Sequence, residues 1–129
     1  MNTIKVLVIE DNHHLTEALR KRSNEEIQYF IFEPGGPIDT AKMLKKLEAD
    51  LSETPVDVIL LDGQLWAGLR GGDFVRTIKR AAVPFIGFSS SPTDNGYLRN
   101  AGSVGTIDKG NADAMTNLSE KIKVILSKE

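Results

Sequence analysis

With 129 residues, 40% of them hydrophobic and 26% charged, the chain has the composition of one globular domain, and its lack of cysteine excludes disulfides and thiolate-held metals. Sixteen basic residues against eighteen acidic ones leave a formal charge of -2, which offers no basic footprint for nucleic acid. No apolar run reaches the length of a membrane span or a signal-peptide core, so a cytoplasmic, single-domain protein over residues 1–129 is expected.

Ile4 to Ile9, reading IKVLVI, has the β-branched, apolar character of a strand covered on both faces, and it ends on two acids, Glu10 and Asp11. Asn12 is placed to cap a helix that shows Leu15, Ala18 and Leu19 on one face and Glu17, Arg20, Lys21 and Arg22 outward. The adjacent His13 and His14 would point in different directions on that helix, so they read as a solvated first turn and not as a metal pair. Tyr29 to Phe32 predicts a second strand, which stops at the turn residues Pro34, Gly35, Gly36 and Pro37.

Asp39 is expected to cap a helix from Thr40 to Leu51 with Ala41, Leu44, Leu47 and Leu51 inward and Lys42, Lys45, Lys46 and Glu48 mostly outward. Pro55 breaks the pattern, and Val58 to Leu61 follows as a wholly apolar run, the strand expected at the middle of a sheet. That strand ends on Asp62 and Gly63. The loop after it holds the only tryptophan, Trp66, with Gly68, Gly71 and Gly72, and reads as a mobile rim whose glycines adopt angles other residues avoid.

Phe74, Val75 and Ile78 mark a helix closing at Arg80, and Phe85 to Phe88 is a fourth apolar strand, ending on Ser89, Ser90 and Ser91. A short helix from Thr93 to Ala101 is weakened by Gly96 and stopped by Gly102. Val104 to Ile107 is a brief fifth strand that delivers Asp108, Lys109 and Gly110. Asn111 then caps a last helix with Met115, Leu118, Ile122 and Ile125 on one face.

Five strands alternating with five helices predict a three-layer α/β domain with a parallel sheet, because right-handed crossovers return the chain to the same edge. That edge would gather Glu10, Asp11 and Asp62 as acids, Ser89 as a hydroxyl and Lys109 as a cation, in the place where such sheets bind ligands. Three crowded carboxylates repel one another, and a hard divalent cation such as Mg2+ resolves the repulsion. A carboxylate nucleophile beside a metal, a lysine and a hydroxyl suits phosphoryl transfer to an aspartate. Neither a GxxxxGK[ST] run nor a GxGxxG run follows the first strand, so the donor is not expected to be a nucleotide held by this chain.

Through VLVIEDN, VDVILLDGQ, GGDFVRTIKR, VPFIGFSSS and AGSVGTIDKG, the chain resembles, along essentially its whole length, the response-regulator receiver domains of two-component phosphorelays. The resemblance implies a flavodoxin-like sheet in the order 2-1-3-4-5. It implies Asp62 as phosphoacceptor, Asp11 as a direct Mg2+ ligand, Glu10 as a metal-site acid acting partly through water, and the Gln64 backbone carbonyl as a further ligand. Ser89 matches the switch hydroxyl and Lys109 the phosphoryl-binding lysine. A receiver of this kind is no enzyme beyond catalysing its own phosphorylation and dephosphorylation. Its implied partners are a histidine kinase or phosphotransfer protein and, on the face of the Thr93–Ala101 helix with the last strand and last helix, an output domain, a downstream protein or a second copy of the chain.

The sequence departs from the family pattern at Gly110, where proline is usual, and at Thr106, where an aromatic switch residue is common. Leu65 and Trp66 replace the usual Met-Pro in a loop about one residue longer than usual. Without a ring to swing inward at Thr106, a switch would work through backbone order in the Ser89 loop and the following helix. Two other readings compete: a receiver-like interaction module that works without phosphorylation, and an aspartyl-nucleophile phosphatase. The latter wants a second acid two residues after the nucleophile, where Gln64 stands.

Overall fold

Val6 and Val8 face one side of the sheet and Leu7 and Ile9 the other, and all four are buried, so the first strand is covered on both faces as its composition requires. The computed structural model describes residues 2–36 and 38–128; Pro37, read above as part of the turn after the second strand, lies outside them. The strands are β1 (Ile4–Ile9), β2 (Ile27–Ile31), β3 (Val58–Leu61), β4 (Phe85–Ser89) and β5 (Gly105–Asp108), all parallel in the order β2-β1-β3-β4-β5. The expected topology is present in full.

The helices are α1 (His13–Lys21), α2 (Thr40–Glu53), α3 (Gly72–Arg80), α4 (Pro92–Asn100), α5 (Ala112–Thr116) and α6 (Leu118–Ser127). One core layer joins Leu7, Ile9, Ile59 and Leu61 to the inner faces of α2 and α3 and to Leu98 of α4. The other joins Val6, Val8, Val58, Leu60 and Phe88 to Leu19 of α1 and to Leu118 and Ile122 of α6. Asn12, Asp39 and Asn111 cap their helices through side-chain oxygens, as expected.

Several boundaries and faces differ from the sequence reading. β2 begins at Ile27, because Asn24 accepts the amides of Glu26 and Ile27 and Ser23 accepts that of Tyr29, which sets the strand's start two residues earlier. α1 buries Thr16 and Leu19 and leaves Ala18 exposed; α2 buries Met43, Leu47 and Leu51 and leaves Ala41 exposed. In each case an alanine placed at helical spacing lost the inner face to a larger side chain. The single last helix is in fact two, since Asn117 leaves helical angles (φ -107°, ψ 32°) and turns its amide back on Asp113. α4 starts at Pro92, a residue suited to a first helical turn, after the cap Ser91.

Candidate functional site

The register sets the site. Ile9 pairs with Leu61 and Ser89 with Asp108, so Glu10, Asp62, Ser89 and Lys109 emerge side by side at the carboxyl edge of adjacent strands. Carboxylate oxygens of Glu10, Asp11 and Asp62 lie within 4.8 Å of one another; Glu10 and Asp62 are buried and Asp11 is exposed. An open cavity above them is lined by these acids, Asn12, Gln64, Ser89 and Lys109, with Asp94 at its margin. All six site residues expected from the sequence therefore meet in one place.

Lys109 crosses the acids. Its Nζ donates to Glu10 Oε1 at 2.5 Å and lies 3.0 Å from Asp62 Oδ2, and its ammonium stands 5.4 Å from the centre of the Phe88 ring. Burial pushes the Glu10 carboxyl up to about 7; its hydrogen bond to Asp62 adds to the rise and Lys109 opposes it. Burial by itself would lower Lys109, but the two acids outweigh it, and the ammonium is held above the ordinary lysine range. The half-buried lysine thus keeps its charge at neutral pH.

Three carboxylate donors of this kind fit a hard divalent cation such as Mg2+ and suit neither a soft nor a thiophilic metal, and Gln64 also lines the cavity. The Glu10 carboxylate is oriented by the Asn12 amide, which donates to Oε2 at 3.2 Å.

The loop after Asp62 is a closed structure, in contrast to the mobile rim expected. Gln64 and Arg70 form an antiparallel bridge, Leu65 donates to the Leu69 carbonyl, and a single 3-10 turn spans Trp66–Gly68. Leu65 is buried and the Trp66 ring meets Phe32 edge-on at 6.0 Å, which fastens the loop to the core. Of the three glycines singled out, Gly68 alone has a positive φ, +78°. Gly71 has ordinary helical angles and is needed for a different reason: a Cβ there would stand 2.2 Å from the Asp62 carbonyl oxygen.

The Ser89 hydroxyl, buried beside Asp62, accepts the Ser91 amide at 3.0 Å, and Ser91 Oγ in turn accepts the Asp94 amide at the start of α4. Asp94 Oδ2 accepts the Gln64 side-chain amide at 3.2 Å, and Asp94 presses so closely on Gly63 that a Cβ at Gly63 would lie 2.5 Å from its own. Thr106 is joined to α4 through Arg99, whose guanidinium donates to its hydroxyl at 2.8 Å. The sequence reading missed Asp94 and Asn95. Ser91-x-x-Asp94 is a capping-box spacing that could have flagged the first; nothing in the sequence marks Asn95. His13 and His14 are exposed and stand away from the acids, in keeping with a solvated first turn.

No protein-family model matches the chain, and no curated protein matches it. Solved structures do. The chain is similar to a two-component response regulator of the LuxR family from an Aurantimonas species, at TM-score 0.74 and 19% identity over 99% of this chain and 88% of that one. It is similar to a two-component response regulator from Clostridium difficile, at 0.73 and 18% over 97% of both chains. It is also similar to the response regulator domain of Thermotoga maritima CheB, at 0.69 and 21% over 98% and 96%. At these identities the likeness fixes the fold: the chain has the receiver-domain fold over nearly its whole length.

Proposed function

We propose that this chain is a phosphoacceptor receiver that takes a phosphoryl group onto Asp62 and answers by altering the face built from α4, β5 and α6. The observation that carries the reading is the convergence of Asp62, its two neighbouring acids, Lys109 and Ser89 at one sheet edge, on a receiver fold. A bound Mg2+, held by Asp11, Asp62, Glu10 partly through water and the Gln64 carbonyl, would offset charge on the phosphoryl oxygens. An Asp62 carboxylate oxygen attacks phosphorus of a phosphorylated histidine on a kinase or phosphotransfer protein; the P–N bond breaks and the imidazole nitrogen keeps the electron pair and takes a proton. Lys109 is placed to leave the carboxylate for a phosphoryl oxygen, and Ser89 to turn its hydroxyl toward another, releasing the Ser91 amide. Hydrolysis by water returns phosphate and the free carboxylate.

This is self-modification and not turnover of a separate substrate, so we assign no enzyme class. Among the described residues no helix is long and apolar enough to cross a membrane, which accords with a cytoplasmic signalling role. Incubation with a small-molecule phosphodonor and Mg2+, followed by intact mass measurement, tests the reading. One phosphate is expected on the wild type and none on Asp62→Asn; phosphate mapped to Ser89, Ser90 or Ser91 would overturn it. A phosphorylation-independent interaction module is the second reading, favoured by the contacts that Lys109 already makes with both Glu10 and Asp62.

A further inference from the structure

Asn95 is the one buried polar side chain on α4, and its surroundings are unusual for a helix that packs on a sheet. Its Nδ2 donates to the Ser89 carbonyl at 3.0 Å and to the Ile107 carbonyl at 3.2 Å, so one amide holds the ends of two adjacent strands. The Ser89 carbonyl also accepts the backbone amide of Lys109 at 3.2 Å. Three segments therefore meet on a single oxygen: β4 at its serine, Lys109 just after β5, and α4. Asn95 Oδ1 is buried with no hydrogen-bond partner among the described residues. It lies over Gly87 of β4, where an added Cβ would meet Oδ1 at 3.1 Å, Thr106 Cγ2 at 3.2 Å and Leu98 Cβ at 3.3 Å. The missing side chain at Gly87 is what lets the amide come down onto the strands.

Burying the idle acceptor has a cost, which the two hydrogen bonds donated by Nδ2 must outweigh to hold α4 on the strands. What the arrangement does supply is connection. The helix cannot follow a displacement of Ser89 without pulling on Ile107, and it cannot stay with Ile107 without releasing Ser89.

We infer that Asn95 is the positioning residue that transmits the state of Ser89 to α4 and β5, in place of any movement of the side chain at Thr106. This rests on the phosphoacceptor reading for what displaces Ser89, but the clamp itself is a property of the unmodified protein. When Ser89 is drawn toward Asp62, its hydroxyl frees the Ser91 amide, and the backbone displacement of the residue carries its carbonyl with it. Asn95 converts that shift into displacement of α4 against β5, and the Arg99 to Thr106 hydrogen bond at the outer end registers it.

The test compares the wild type with Asn95→Leu, which fills the same space without donors, and Asn95→Asp, which turns the donor group into one that repels both carbonyls. In the unmodified proteins, hydrogen exchange of the α4 amides is expected to speed up by about tenfold in both variants, the effect of one or two lost hydrogen bonds, with the α1 amides unchanged. With phosphodonor and Mg2+, Asn95→Leu is expected to take phosphate on Asp62 while the change in α4 exchange seen in the wild type disappears. Unaltered α4 exchange in both unmodified variants overturns the clamp, and so does a wild-type-sized response in phosphorylated Asn95→Leu. If the wild type takes no phosphate, the phosphoacceptor reading fails by itself, and the clamp is judged on the unmodified proteins alone.

Discussion

Lys109 Nζ lies 2.5 Å from Glu10 Oε1, an ion pair formed by two residues that are 99 positions apart and come from the ends of strands that are not neighbours in the sheet. β3, with Asp62 at its end, lies between β1 and β4, so the lysine reaches across Asp62 to an acid beyond it. The charge balance of the site follows from this reach.

Stability should depend on pH through Glu10. Its carboxyl titrates near 4.5 when unfolded and is held up to about 7 in the fold, chiefly by burial, so the folded protein binds the extra proton between those values. The contribution of this group is fully present below the lower value and is lost as the pH rises through the upper one. Urea unfolding of the metal-free protein at pH 5 and pH 8 should show it as a fall in stability that Glu10→Gln removes; equal pH slopes for the two proteins would contradict it.

Metal affinity should divide the site's residues by charge. Asp11→Asn is expected to weaken Mg2+ binding by roughly tenfold or more, since even outer-shell changes commonly have effects of that size. Lys109→Ala should bind Mg2+ at least as tightly as the wild type, because the cation no longer competes with an ammonium for Glu10 and Asp62. The same variant should lose the structural response to phosphorylation. Calorimetric titration settles the order, and weaker binding by Lys109→Ala would sink this account.

Two glycines in the loop after Asp62 should respond differently to alanine. At Gly71 the new Cβ would be 2.2 Å from the Asp62 carbonyl, a backbone atom that cannot give way, and overpacking of this kind costs about 1–3 kcal/mol or more. At Gly68 nothing lies within 4 Å and only the positive φ is at stake, about 1–2 kcal/mol. Gly71→Ala should also weaken Mg2+ binding, since it displaces the backbone at Asp62, whereas Gly68→Ala should not. Equal effects on metal binding would count against this division.

Phe32 holds that loop from below. It is fully buried, with Trp66 and Phe74 edge-on to it and the Lys46 ammonium 5.0 Å from its centre. Phe32→Ala should cost about 3–5 kcal/mol in a denaturation experiment. A loss under 1 kcal/mol would mean that the loop is anchored elsewhere.

The strands and the acid edge were legible because a buried parallel strand leaves an apolar run with a polar stop, and here the ends of four of the five strands carry chemistry: Glu10, Asp62, Ser89, Lys109. Caps were legible for a similar local reason, since Asn12, Asp39 and Asn111 act within three residues of themselves. The inner faces of α1 and α2 were only partly legible, because Ala18 and Ala41 fit helical spacing as well as Thr16 and Met43 do, and the sheet chooses between them by volume. The break at Asn117 depends on a side chain that returns to Asp113, and the loop after Asp62 on hydrogen bonds between Gln64, Leu65 and their partners at Leu69 and Arg70. Asn95 owes its role to segments that meet only when α4 lies on the sheet, a relation to which no short window of sequence gives access, whereas the spacing from Ser91 to Asp94 is a local signal.

Trp66 is the only indole in the chain, and it sits on the loop that begins at Asp62 and includes the Gln64 carbonyl. Its ring rests against Phe32 on one side and borders solvent on the other, a half-buried setting in which emission is sensitive to small displacements. An event that tightens the backbone at Gln64 is expected to reach this ring through the bridged loop. Trp66 emission in the unlabelled wild type is therefore expected to change when Mg2+ is added, with no label attached.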